Sequence, residues 1–385
     1  MPVDGAKLDP MATRVRRRLA ALSPRSILLI GTGLFTIHAY PGLMAPGSLV
    51  QLDEARAGVF SDLHPPLMQA LWWVLDRIVP GPFGMLMLQS VGCLAGAYLI
   101  ARRLVQPRAA AVGAVLVLLL PPVLAVMAVV CEQALFAGLA LFGAGLVVDG
   151  GRRTRVLGLV VLAAAAGVRH DAAAATLPLI VVLLAPQLRG VWWRRYAIAV
   201  AAWLATTIAA CGVNTALTAR EHDVTVVHAD DQDRLATFGA VLGLTGELPI
   251  VTRESQSVEL LRAAEIQQAS SPLQRLTGRV VGALATTILF EPWCYLVLAI
   301  AMLVKLRREP VLRALLASGI ALELSLAYSA HGAGYASSHW LVTCALLVAA
   351  IAVARRFSPS PREPAATAAH PPPDPRRTAP PPDPT

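Results

Sequence analysis

Residues 156–185 read VLGLVVLAAAAGVRHDAAAATLPLIVVLLA, an apolar run whose only ionisable side chains are Arg169, His170 and Asp171. Taken as one helix, the run places all three at the middle of a hydrocarbon layer, at about 2.5–3.5 kcal/mol for each Arg or Asp. It also carries Arg189, Arg194 and Arg195 to the side opposite every other arginine cluster. Taken as a hairpin of two arms of about 13 residues, at about 1.5 Å rise each, it brings the turn to about 20 Å depth, tolerable where the turn lines a water-filled cavity. The hairpin is the better reading, and it makes the chain a polytopic membrane protein with ionisable chemistry at a turn.

The rest of the sequence agrees with that class. Apolar residues make up 56% and charged residues 15%, against about 45–50% and about 25% in soluble chains. The net charge of +9 is carried almost wholly by arginine. Its placement in short clusters between apolar runs argues for cytoplasmic loops and against a nucleic-acid footprint. The five cysteines, Cys93, Cys131, Cys211, Cys294 and Cys344, stand singly in or beside apolar segments, without zinc-type spacing, and read as small core residues.

Working outward from the hairpin gives an all-α chain with about ten spans. Before it come Ser26 to about Leu43, Gly84–Ile100, Ala109 to about Val129 bent by Pro121-Pro122, and Gln133–Val148. After it come Tyr196–Leu217, about Val280–Val304, Val311–Ala330 and Trp340–Ala354. An uncleaved first span is expected rather than a signal peptide. The organisation is a cytoplasmic segment 1–25, a membrane domain 26–356 with external loops 44–83 and 218–279, and a disordered Pro-rich cytoplasmic tail 357–385. With both termini inside, every basic cluster between spans falls on the cytoplasmic side of a plasma membrane. Asp53–Pro66, Cys131-Glu132, Arg169–Asp171, the long loop and His331–His339 then collect outside. An amphipathic helix is expected over Val258–Gln268.

The first external loop holds the densest chemistry: Asp53-Glu-Ala-Arg-Ala-Gly-Val-Phe-Ser-Asp62-Leu-His64-Pro-Pro-Leu67. The two prolines after His64 forbid a helix from running straight through, so the stretch is read as a loop. Trp72, Trp73, Asp76 and Arg77 lie on a segment too short to span and read as an interfacial helix with both aromatics at headgroup level. Trp192 and Trp193 read as belt residues on the cytoplasmic face.

An Asp-Glu pair after the first span, then Asp62-Leu63-His64-Pro65-Pro66-Leu67, and a second span ending in Leu-Ile-Ala-Arg-Arg-Leu, resembles the GT-C membrane glycosyltransferases. The likeness is to the branch with the protein mannosyltransferases and the aminoarabinose transferase, and it covers roughly residues 26–200. Cys131-Glu132-Gln133-Ala134 sits where relatives carry a Gln-Glu-Ala-like turn, and Arg169 where they carry a basic residue. Ser337-Ser338-His339-Trp340 replaces their Arg-Tyr. The resemblance implies a polyprenyl-phosphate sugar donor and transfer of the glycosyl group to a lipid, glycan or protein acceptor on the external face, with no nucleic-acid partner.

Such a transfer needs a carboxylate to take the acceptor proton and cations for the departing phosphate. Asp53, Asp62 and Glu54 are the candidates for the first, Asp53 being the best positional match to the family; adjacent Asp53 and Glu54 repel, which favours a basic carboxylate. Arg169 and His170 are candidates for the second, with His64, Glu132 and His339 completing the substrate-binding set. The plainer readings are a solvated turn at Asp53-Glu54, a self-neutralised turn at Arg169–Asp171 and an ordinary turn residue at His64. The residues name no definite cofactor. A divalent cation has one weak candidate, His228-Ala-Asp230-Asp231-Gln-Asp233, a composition more often simply solvated. A transporter or lipid flippase is the alternative class, because intramembrane Arg, His and Asp also mark substrate pathways.

Overall fold

The computed structural model describes residues 22–60, 65–218, 271–329 and 335–357. The expectations for Asp62, His64, the His228–Asp233 run, the Val258–Gln268 helix and the tail from residue 358 lie outside these residues. So do most of the amino-terminal segment and His331.

Fourteen α-helices make up the described chain. In order they are α1 (Pro24–Ala39), α2 (Pro46–Ala57), α3 (Pro66–Ile78), α4 (Phe83–Ala101), α5 (Pro107–Leu119), α6 (Pro121–Met127), α7 (Glu132–Asp149), α8 (Arg152–Val168), α9 (Ala172–Leu184), α10 (Trp192–Leu217), α11 (Pro272–Ala285), α12 (Pro292–Lys305), α13 (Pro310–Ser329) and α14 (His339–Phe357). Two-residue strands β1 (Leu43–Met44) and β2 (Val129–Val130) form a parallel pair, Leu43 opposite Val129 and Met44 opposite Val130. Nine of these fourteen helices open at or beside a proline, which lacks the N–H that a first turn leaves unbonded anyway.

Five helices are long and apolar enough to cross a membrane: α4, α7, α10, α13 and the segment Tyr335–Phe357 that contains α14. The pair α5 and α6 makes a sixth if counted as one span, and it bends by 69° at the break between them. The bend falls at Pro121, as the sequence leads one to expect. Gln89 of α4 holds the far end of α6, its buried side-chain amide donating to the carbonyls of Met127 and Val129 at 2.9 and 2.8 Å. The expected span Val280–Val304 is instead two helices, α11 and α12, separated by Thr286–Glu291. Thr286 and Thr287 turn their hydroxyls back onto Ala283 and Leu284 carbonyls, and Pro292 starts α12, so the helix ends there by local competition for its own backbone.

The bundle is assembled on close backbone approaches. A Cβ at Gly92 would lie 3.0 Å from the Gly138 carbonyl oxygen, one at Gly145 would lie 2.9 Å from Leu99, and one at Gly96 would overlap the Leu141 backbone. These pairs run in the same direction along both chains, so α4 and α7 are parallel neighbours. Gly158 meets the Gly143 carbonyl at 2.8 Å, which sets α8 antiparallel to α7. Small residues at contacts are how apolar helices pack where no water drives them together.

This arrangement gives the bundle two unlike ends. At one, Arg102 and Arg103 both pair with Asp149, while Arg355 pairs with Glu309 at 3.0 Å and donates to the Leu104 carbonyl at 3.4 Å. At the other lie the β1–β2 pair, the start of α7, the α8–α9 connector and the start of α14.

Candidate functional site

Asp53 and Glu54 are helical, not part of a loop. α2 ends at Gly58, whose φ of +70° supplies the left-handed cap, and the prolines at 65 and 66 start α3. Asp53 is exposed and Glu54 half-buried. Successive helical positions point about 100° apart, so the two do not face each other and the expected mutual repulsion has no geometric basis. Glu54 Oε2 instead accepts a 2.6 Å hydrogen bond from the Gln69 amide on α3. α2 and α3 are further joined by Arg56 and Asp76, 3.1 Å apart. Of the two tryptophans expected at headgroup level, Trp73 is exposed under the Arg77 guanidinium, 3.5 Å from its ring centre. Trp72 is fully buried and donates to the Gly81 carbonyl at 3.3 Å; it is a packing residue, because the apolar face of this short helix is turned into the bundle. Trp192 and Trp193 are both exposed.

The hairpin is present as read. α8 stops at Val168, Arg169 is extended, and α9 starts at Ala172. Arg169 is 5% exposed, and its Nε and Nη2 donate to the Asp171 carboxylate at 2.9 and 2.7 Å. Asp171 therefore stands at the N-cap of α9 without making a cap hydrogen bond. The break in the helix is covered from α10, where Asn214 donates to the Gly167 carbonyl at 3.0 Å and Trp203 to that of Ala173 at 3.1 Å. His170 is exposed beside this pair.

Around Arg169 gather side chains from three further elements. Glu132, the first residue of α7, acts on its charge, as does Glu323 of α13. Phe136 places its ring 5.9 Å from the guanidinium carbon. His339, the first residue of α14, is fully buried and feels the Arg169 charge. Glu323 is also fully buried, and its Oε2 accepts from the Ser338 hydroxyl at 3.1 Å. The wall behind is tied by Trp340, which donates to Ser318 at 2.8 Å, and by Ser318, which donates to the Ala175 carbonyl at 2.6 Å. Among the described residues, three polar atoms here are buried without a hydrogen-bond partner: Arg169 Nη1, Glu323 Oε1 and His339 Nδ1.

Arg169, His170, Glu132 and His339 are thus brought to one end of the bundle. Asp53 makes no described contact with them, and Glu54 bonds to Gln69. Glu323 was missed by sequence reasoning, although a signal existed: it is the one carboxylate inside the apolar run Val311–Ala330, and an ionisable residue within such a segment is a functional candidate by default. Among the described residues no group of three or more His, Cys, Asp or Glu side chains is placed to hold a metal ion. No protein-family model matches the chain, and it matches no curated protein and no solved structure.

Proposed function

We propose that this chain is a GT-C-like integral membrane glycosyltransferase, which moves a sugar from a polyprenyl-phosphate donor to a lipid, glycan or protein acceptor at the external face of the plasma membrane. The observation that carries the reading is the polarity of the bundle. Glu132, Arg169, Asp171, Glu323 and His339 meet at one end, while the Arg102–Asp149 and Arg355–Glu309 pairs occupy the other. An enzyme working on a lipid-linked substrate needs acid-base chemistry at one membrane face, whereas a carrier needs it along a path to both. The proposal takes the arginine-rich end and both termini as cytoplasmic. It keeps about ten crossings by counting α1, α8, α9 and α12 with the longer helices and the bent pair.

In this reading a carboxylate of the first external loop, Asp53, Asp62 or Glu54, takes the acceptor proton. The cluster around Arg169 holds part of the donor. Glu54 is kept in place by Gln69, which suits an orienting role, and exposed Asp53 is free to meet an incoming acceptor. The alternative of a transporter or flippase draws on one observation, the fully buried Glu323 inside a spanning helix.

The test is transfer of labelled sugar from membrane lipid extracts by the purified chain in nanodiscs, with Asp53→Asn, Glu54→Gln and Asp62→Asn run in parallel. Loss of turnover in one of the three identifies the base. Full activity in all three removes this loop from catalysis, and labelled substrate crossing the bilayer without transfer puts the carrier first.

A further inference from the structure

Resting on the transferase reading, we infer that Arg169, Glu323 and His339 form the subsite for the sugar hydroxyls of the donor, and that its phosphate is held elsewhere. Arg169 already has both Nε and Nη2 on Asp171, and Glu132 and Glu323 also act on the same guanidinium through their charge. One cation between the Asp171 and Glu132 carboxylates leaves a negative surplus, and a phosphate brought into it meets repulsion that the low dielectric of a buried site strengthens. The expectation that Arg169 clamps the phosphate therefore does not fit its surroundings.

The partnerless atoms are a guanidinium N–H at Arg169, a carboxylate oxygen at Glu323 and an imidazole nitrogen at His339 that donates or accepts by tautomer. They come from three different elements and belong to side chains at 5%, 0% and 0% exposure. A buried polar group left without a partner costs about 1–3 kcal/mol, so three around one arginine mark groups that a ligand satisfies. A hydroxyl both donates and accepts, and neighbouring hydroxyls on a sugar ring match a donor set beside an acceptor set without adding charge. The donor set does not suit a metal ion, since Arg169 offers only N–H groups. Beside them Glu132 and Asp171 are half-buried and His170 is exposed.

The experiment measures binding of farnesyl phosphate, and of a panel of its hexose and pentose glycosides, to the full chain in phosphatidylcholine nanodiscs. Glu323→Gln and His339→Gln should each weaken the best glycoside by about tenfold, the loss of one hydrogen bond to a charged or buried partner. Farnesyl phosphate itself should bind as before. If Glu323→Gln does not fold, Ser338→Ala, which removes the hydroxyl gripping Glu323 Oε2, should give the same glycoside-specific loss. Equal loss of both probes, or no loss of either, overturns the subsite. If no glycoside binds the unaltered chain more tightly than farnesyl phosphate, the transferase reading itself falls. Transfer activity with unchanged glycoside affinity in the variants removes only the subsite.

Discussion

Arg169 and Asp171 grip each other across a single intervening residue, Nε to Oδ1 at 2.9 Å and Nη2 to Oδ2 at 2.7 Å, with side chains only 5% and 10% exposed. The pair turns the chain between α8 and α9 and neutralises the turn it makes.

Removing one partner leaves the other buried and uncompensated, at about 3–5 kcal/mol. Asp171→Asn should lower thermal stability in detergent by that order, and Arg169→Gln should do likewise. The double variant should be clearly more stable than the sum of the two losses predicts. Additive losses in that cycle would show that the two side chains act separately.

Two glycines offer a sharper contrast. Gly96 sits against the Leu141 backbone, whereas a Cβ at Gly113 in α5 meets nothing within 4 Å. Gly96→Ala should destabilise by about 1–3 kcal/mol or more through overpacking. Gly113→Ala should be neutral or stabilise by up to about 1 kcal/mol through helix propensity. Equal unfolding temperatures for the two variants would deny the close packing of α4 on α7.

Sidedness is open to direct labelling. His170 and Gly151 are both exposed and lie at opposite ends of α8. With exposed Cys211 replaced by Ser, a membrane-impermeant maleimide added to intact cells should modify His170→Cys and leave Gly151→Cys untouched until the membrane is opened. The reverse pattern inverts the proposed orientation.

Asp53 and Glu54 should separate by what they touch. Asp53→Asn, on an exposed side chain, should leave stability unchanged and, if Asp53 is the base, cut turnover by about 10²–10⁴. Glu54→Leu should cost about 1–3 kcal/mol of stability, because it strands the buried Gln69 amide. A stable Glu54→Leu protein would mean that the Gln69 bond is replaced elsewhere.

The hairpin at Arg169–Asp171 and the bend at Pro121 were legible because each depends on local rules, the cost of mid-layer charge and the missing proline N–H. The division of residues 280–304 was not, since Thr286 and Thr287 end α11 with hydroxyl bonds that hydropathy does not register. Trp72 and Trp73 look alike in sequence and differ only in which face of α3 meets the bundle. Arg169, Glu132 and His339 were found as separate points along the chain. Glu323 was passed over as one acid in an apolar run, because its significance lies in neighbours on other elements, Ser338 ahead of α14 and Arg169 more than 150 residues earlier.

The β1–β2 pair has a mechanical corollary. Leu43 and Met44 are bonded in register to Val129 and Val130, and the Ser48 hydroxyl donates to the Val130 carbonyl. The helix that bears Asp53 and Glu54 and the helix that begins at Glu132 are therefore geared together by four backbone positions. A one-residue insertion between Gly42 and Pro46 would slip that register and reverse which strand side chains face inward. The length of this short connector is consequently tied to the strand register, and a displacement of the helix that bears Asp53 and Glu54 would be passed through it to the start of α7.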